Sequence, residues 1–158
     1  MGDAGRRRPT LEPVKAAVLT TRTYSMVLER LKAAGLRPTR QRLSLAKLLL
    51  ESGNRHVTAE DLFHEARNAG IPVSLATVYN TLHQFTSVGL LREVAVDMGQ
   101  SYFDTNTSHH HHFFDDRTGE LTDIPDDEVA ISRLPDPPSG TAIERVEVIV
   151  RLRSIDKT

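Results

Sequence analysis

The chain has 158 residues, 39% of them apolar and 5% aromatic, which fits one or two small domains and excludes a large multidomain enzyme or an aromatic-lined pocket. It has no cysteine, so disulfides, thiolate zinc sites, iron–sulfur clusters and cysteine nucleophiles are excluded. Its net charge of −1 conceals a split: residues 1–90 carry 13 Lys and Arg against 7 Asp and Glu, a net of +6, while residues 91–158 carry 7 against 14, a net of −7. Such a split points to a basic binding module joined to an acidic one; chance segregation within a single domain is the alternative.

Along the chain, residues 1–22 read as a weakly ordered lead-in, interrupted by Pro9 and Pro13 and carrying the mutually repelling Arg6, Arg7 and Arg8. No apolar stretch follows these arginines and no run approaches the roughly 18 residues of a membrane span, so neither a secretory signal nor a membrane segment is expected, and the cytoplasm is the expected location. A helix is predicted from Tyr24, with Val27, Leu28 and Leu31 as its stripe and Gly35 as its stop. A second helix runs from Thr39 to about Glu51 on Leu43, Ala46, Leu49 and Leu50. A third starts at Thr58, where Thr58-Ala59-Glu60-Asp61 resembles a capping box. Ile71-Pro72-Val73 is an extended connector, and Ser74 caps a fourth helix with Leu75, Val78, Leu82 and Phe85 on one side and Thr77, Asn80, Thr81 and Gln84 on the other. Two alternating runs, Leu91 to Val96 and Gln100 to Asp104, are joined by Asp97-Met98-Gly99 and read as a hairpin. Helices followed by a hairpin give the pattern of a winged helix-turn-helix.

The acidic half reads differently. His109 to His112 are consecutive, a strand is predicted at Phe113-Phe114, a turn at Arg117 to Glu120 and a strand from Leu121 to Ile124. Pro135, Pro137 and Pro138 exclude helix around residues 133–140. Val146, Val148, Val150 and Leu152 alternate with Glu147, Ile149, Arg151 and Arg153, the clearest strand pattern in the chain. The expected fold class is α+β: a winged-helix domain followed by a small α/β domain whose open strand edges a partner chain would cover.

Two groups of residues could carry chemistry. The polar side of the fourth helix, with Arg37, Arg40 and Arg42 at the start of the second, can meet base edges and phosphates; an ordinary solvated helix face is the other reading. In the histidine run, strand alternation would place His110 and His112 together, with His109 and His111 opposite. An H-x-H pair with Asp104 before it and Asp123 after it suits Fe(II), Mn(II) or Zn(II). Histidine can also ligate haem, and a decorative surface loop remains open at this point. His56 alone is an ordinary loop histidine, and His64 and His83 fall within helices.

Together these pieces resemble the ferric uptake regulator family. The carrying segments are Leu36-Arg37-Pro38-Thr39-Arg40-Gln41-Arg42, the stretch from His56 to Leu62, Leu75-Ala76-Thr77-Val78-Tyr79-Asn80-Thr81-Leu82, and the spaced Gly99, Phe103 and Asp104. The likeness covers about residues 24–128, with one residue missing ahead of the histidines. The resemblance implies a regulator that binds a palindromic, AT-rich double-stranded DNA operator as a homodimer or tetramer, and no enzyme. It implies a winged-helix domain over residues 23–105 and a dimerisation and sensing domain over residues 106–158. Tyr79 matches a thymine-contacting tyrosine, Asn80 stands where arginine is common, Arg37 matches a minor-groove residue and Arg42 a backbone contact, with Ser74 and Thr77 on the same DNA-facing side. The regulatory metal site would be His56, Asp104, His110, His112 and Asp123, holding Fe(II) or Mn(II), with Zn(II) a further ion in vitro. A second metal or haem site would use His109 and His111, its acidic position falling on Ala130.

The departures are the absent C-x-x-C zinc motifs, the first of which falls on Asp115 to Thr118, and the Pro135-Asp136-Pro137-Pro138 stretch in place of a helix. With the histidine run followed by aromatics, these features resemble the iron response regulator branch, which implies control of iron and haem genes and haem as a second cofactor. Three His plus two Asp is also the ligand set of the family's peroxide sensors. A His/Asp metalloenzyme or a metal-storage protein are readings from other classes.

Overall fold

Each of three predicted helices starts on a hydroxyl side chain that accepts from the backbone N–H three residues on. This computed structural model describes residues 12–97 and 99–155, with the backbone alone over 12–21. Thr39 Oγ1 accepts from Arg42 N–H at the start of α2 (Arg40–Leu50). Thr58 forms a capping box with Asp61 at the start of α3 (Ala59–Asn68), the shorter Asp replacing the usual Glu. Ser74 Oγ accepts from Thr77 N–H at the start of α4 (Leu75–Ser87). These bonds satisfy N–H groups that the helix itself leaves unpaired.

The first helix, α1, spans Glu12–Ala33 and so begins twelve residues before Tyr24. Pro13 does not stop it, because in the first helical turn proline's missing N–H has no partner to lose. The expected lead-in lies outside the described residues only up to residue 11. Gly35 follows in a left-handed conformation, φ 77°, that a residue with a Cβ rarely adopts.

The hairpin forms from β2 (Arg92–Asp97) and β3 (Gln100–Asp104); Met98 of its loop lies outside the described residues. A two-residue strand that the sequence reading did not anticipate, β1 (His56–Val57), pairs with the other edge of β3, giving the order β1-β3-β2. Asp104 is the register partner of His56 on one side and Arg92 on the other. A second sheet has the order β5-β4-β6, from β4 (His110–Asp115), β5 (Glu120–Pro125) and β6 (Ile149–Leu152). β4 begins at His110 rather than at Phe113. The expected strand over residues 146–153 is shortened to four residues, paired parallel to β4.

Two apolar clusters result. The larger joins the helices to β1 and β3 through Leu31, Leu45, Leu62, Val78, Leu82, Phe85 and Phe103. The smaller, Val94, Val96, Tyr102, Phe114 and Leu121 with Ile149 against it, lies where the hairpin packs on the second sheet. Thr81, expected on the polar side of α4, is buried. It lies three residues after Val78 and four before Phe85, so helix geometry turns it to the core whatever its polarity.

Candidate metal centre and nucleic-acid face

Asp104 ends β3 in the first sheet and His110 starts β4 in the second, so the short link between them folds one against the other. β1 adds His56 beside Asp104, and the β4–β5 register sets Asp123 opposite His112. Five side chains from four strands thereby converge, each offering one ligand atom, all within 4.8 Å of one another. Asp104 Oδ2 lies 3.2 Å from His56 Nε2, 2.8 Å from His110 Nε2 and 3.0 Å from His112 Nε2. Asp123 Oδ1 lies 2.8 Å from His56 Nε2 and 3.3 Å from His110 Nε2. Asp104 and His112 are wholly shielded from solvent, and His110 nearly so.

The donor set fits a divalent cation. His110 Nδ1 lies 2.7 Å from the Ser108 carbonyl, which can only accept, so Nδ1 carries the proton and Nε2 presents its lone pair to the cluster. That lone pair is 3.0 Å from His112 Nε2. Among the described residues, His56 Nε2 and Asp123 Oδ1 are buried without a directed hydrogen bond. Buried polar atoms rarely lack a partner, and a cation would satisfy these together. Burial would raise the Asp104 carboxyl, but the imidazoles of His112 and His56 and the Asn106 N–H outweigh it and hold the group well below the usual carboxylate range. Burial likewise lowers His56, yet Asp104 and Asp123 together raise it above its ordinary 6.5.

His109 and His111 meet a different acid from the one expected. Asp126 Oδ1 stands 2.7 Å from His109 Nδ1 and 3.2 Å from His111 Nε2, whereas Ala130, the expected acidic position, is an exposed apolar residue. The β4–β5 register explains this, since His110 opposite Pro125 puts His109 beside Asp126. Val148 N–H donates to His111 Nδ1 at 3.1 Å, so the His111 proton sits on Nε2 and points to Asp126. These three residues also have the spacing to hold an ion, but hydrogen bonds already satisfy His111.

On α4, Tyr79 and Asn80 are exposed, and Ser74 and Thr77 share a hydroxyl–hydroxyl contact of 2.9 Å. The Tyr79 hydroxyl donates to Glu60 at 2.7 Å and its ring lies nearly parallel to His83. Arg37 and Arg40 are exposed. Arg42 is occupied: its guanidinium donates to Gln84 Oε1 and to the Arg37 carbonyl, bracing α2 against α4. Glu60, Asp126 and the Arg92–Glu147 pair were not singled out from sequence. Only Asp126 had a usable signal, the hairpin register.

A model of the ferric uptake regulator family matches residues 33–136. The ferric uptake regulation protein of Shigella flexneri is 40% identical over 79 residues, which are 50% of this chain and 53% of that protein. That of Escherichia coli K12 is 39% identical over the same length. The chain thus spans about half the length of the curated relatives it matches. The solved ferric uptake regulator of Pseudomonas aeruginosa with manganese aligns at a TM-score of 0.63 and 28% identity, covering 81% of this chain and 97% of that one. The Vibrio cholerae ferric uptake regulator gives 0.63 and 26%, covering 80% and 98%.

Proposed function

The chain belongs to the ferric uptake regulator family, and from that premise we propose that it is a metal-responsive, DNA-binding transcriptional regulator of iron and haem homeostasis genes, closest to the iron response regulator branch. The observation that carries the reading is the five-ligand His/Asp cluster built across both sheets. Its residues, His56, Asp104, His110, His112 and Asp123, would hold Fe(II) or Mn(II), with Zn(II) accepted in vitro. A cation held by them would neutralise the Asp104 and Asp123 carboxylates, and its ligands would come from β1 and β3 of the first sheet and β4 and β5 of the second.

In this reading residues 23–105 form the DNA-binding domain and residues 106–158 the dimerisation and sensing domain, working in the cytoplasm. Arg37, Ser74, Thr77, Tyr79 and Asn80 face the operator; Arg42 acts by bracing α2 and α4, with its contact to phosphate made from that braced position. Val150 and Leu152 are exposed apolar side chains on β6, an edge strand of the second sheet among the described residues, and Ile131, Leu134 and Ile143 are exposed as well. They support a homodimer, which two such subunits could extend to a tetramer. Control is a population shift: the ion acts through its different affinity for the arrangements in which two α4 helices match or miss successive half-sites of a palindromic AT-rich duplex. Haem comes second, at His109 and His111, where binding would have to displace the His111 Nε2 proton that faces Asp126. The peroxide-sensor reading rests on the same three-His, two-Asp set, in which an Fe(II)-dependent oxidation would fall on a ligand histidine.

The test is operator binding by metal-free protein at fixed salt, with Fe(II), Mn(II), Zn(II) or haem added in turn. The reading predicts that one of these tightens or weakens binding, and that none of them changes it in the variant with His109, His110, His111 and His112 all replaced by Ala. Binding that no addition changes rejects it. A histidine mass gain after peroxide in the Fe(II) form selects the peroxide reading.

A further inference from the structure

Arg92 is the register partner of Asp104 on β2, yet it is no metal ligand and the function above does not use it. It is only 8% exposed, an unusual place for an arginine. Its Nη1 donates to the Ser108 carbonyl at 2.6 Å. Its Nη2 donates to Glu147 Oε1 at 2.9 Å, on the segment leading into β6. The Ser108 carbonyl has two lone pairs, and the second takes the Nδ1–H of His110 at 2.7 Å. One backbone oxygen is therefore shared between a buried guanidinium and a cluster histidine. Arg92 Nη1 is also 3.4 Å from His110 Nδ1, longer than either bond to the shared carbonyl; moving the proton to Nε2 would set the Nδ1 lone pair against the carbonyl oxygen at 2.7 Å. Ser108 lies in the link between the two sheets and is itself exposed. Arg92 gives that exposed loop a buried anchor.

We propose that Arg92 is a positioning residue of the metal cluster: through the Ser108 carbonyl it keeps His110 in the Nδ1–H tautomer, with Nε2 free toward the cluster, and through Glu147 it fixes the same loop to the approach to β6. This rests on the metal reading of the five residues. The Ser108 carbonyl plays the outer role common behind a ligating histidine, whose loss lowers metal affinity about 10- to 100-fold, and Arg92 holds that carbonyl in place. Glu147 holds the guanidinium from the far side. Arg145 Nη2, 3.8 Å from Glu147, adds a second cation to that carboxylate.

The experiment uses the full chain as wild type, Arg92→Gln and Arg92→Lys. Two quantities are measured: Mn(II) affinity by titration, and the His110 ring tautomer in the metal-free protein by nitrogen NMR. The expected result is a loss of about 10- to 100-fold in Mn(II) affinity for Arg92→Gln, together with loss of the single Nδ1–H tautomer. Arg92→Lys keeps one donor but cannot span Ser108 and Glu147 together, so it should fall between the two in both quantities. Wild-type affinity in the variants overturns the proposal, as does a fall in affinity with the His110 tautomer unchanged. If Arg92→Gln does not fold, a Lys variant equal to wild type in both readouts overturns it alone. Wild-type protein that holds no Mn(II) rejects the metal reading itself; wild type that binds while the variants bind equally rejects only the Arg92 assignment.

Discussion

The two halves of this molecule are held together by different forces. From Val27 to Leu91 the interior is hydrocarbon: Leu45, Leu62, Val78 and Leu82 are wholly buried against one another. Beyond Asp104 the buried positions include His110, His111 and His112, and among the described residues Phe114 and Leu121 there form only a small apolar cluster with Val94, Val96 and Tyr102 of the hairpin. A hydrocarbon core is satisfied by its own packing. A core of imidazoles and carboxylates is satisfied only when each polar atom is well bonded, and His56 Nε2 and Asp123 Oδ1, though 2.8 Å apart, make no directed hydrogen bond among the described residues. The first region is built to keep one shape. The second, under the proposed function, responds to the ion that fills it.

That contrast can be broken from either side. The largest expected effect is Leu62→Ala in the helical core, about 2–5 kcal/mol of stability by thermal or urea unfolding, because the residue is fully buried and leaves a cavity. A change near zero would mean that this core is not the stabilising unit. In the polar region, Asp104→Asn should lower Mn(II) affinity at least about a hundredfold, about 2.7 kcal/mol, while thermal stability of the metal-free protein changes less. Tyr79→Ala should weaken operator binding about tenfold, about 1.4 kcal/mol, leaving Mn(II) affinity unchanged; gel-shift titration checks it, and unaltered binding rejects α4 as the reading element. Thr58→Ala removes the α3 capping box and should cost about 1 kcal/mol of unfolding free energy.

Acid provides the finest division. Metal ligands must be deprotonated, so Mn(II) affinity should fall as pH falls. Asp104 stays ionised far into acid, and the competing proton belongs to His56, whose pKa is raised above 6.5. The loss should therefore begin above pH 6.5, and titrations at stepped pH locate it. In the metal-free protein the signs differ. The raised His56 stabilises the fold below its ordinary pKa, and that contribution is lost as pH rises through the raised value. The depressed Asp104 stabilises above its ordinary pKa, and that contribution is lost toward strong acid.

The sequence carried the local rules well and the tertiary ones poorly. Thr39, Thr58 and Ser74 announce their helices because capping is a contact within four residues. Thr81 was misplaced because its hydroxyl suggested water while its position between Val78 and Phe85 required the core. α1 was begun too late because Pro13 was read as an interruption, though a first turn tolerates it. β1 is two residues long and exists only through pairing with β3, so no periodicity can reveal it. Of the five cluster residues, alternation paired His110 with His112 and nearness in sequence brought forward Asp104 and Asp123, while His56 came from family resemblance alone. Asp126 was recoverable from the hairpin register, whereas Arg92 and Glu147 meet only in the folded chain, 55 residues apart.

The central claim is that the cluster and the DNA-facing helix are two ends of one equilibrium. Thermodynamic linkage makes this measurable, because any factor by which Mn(II) alters operator affinity must equal the factor by which operator alters Mn(II) affinity. The direct measurement is Mn(II) titration of the protein alone and of the protein saturated with its operator duplex. The account predicts different Mn(II) affinities in the two states, by the same factor that gel shifts give for operator binding with and without Mn(II). Equal Mn(II) affinities in the two states would contradict it.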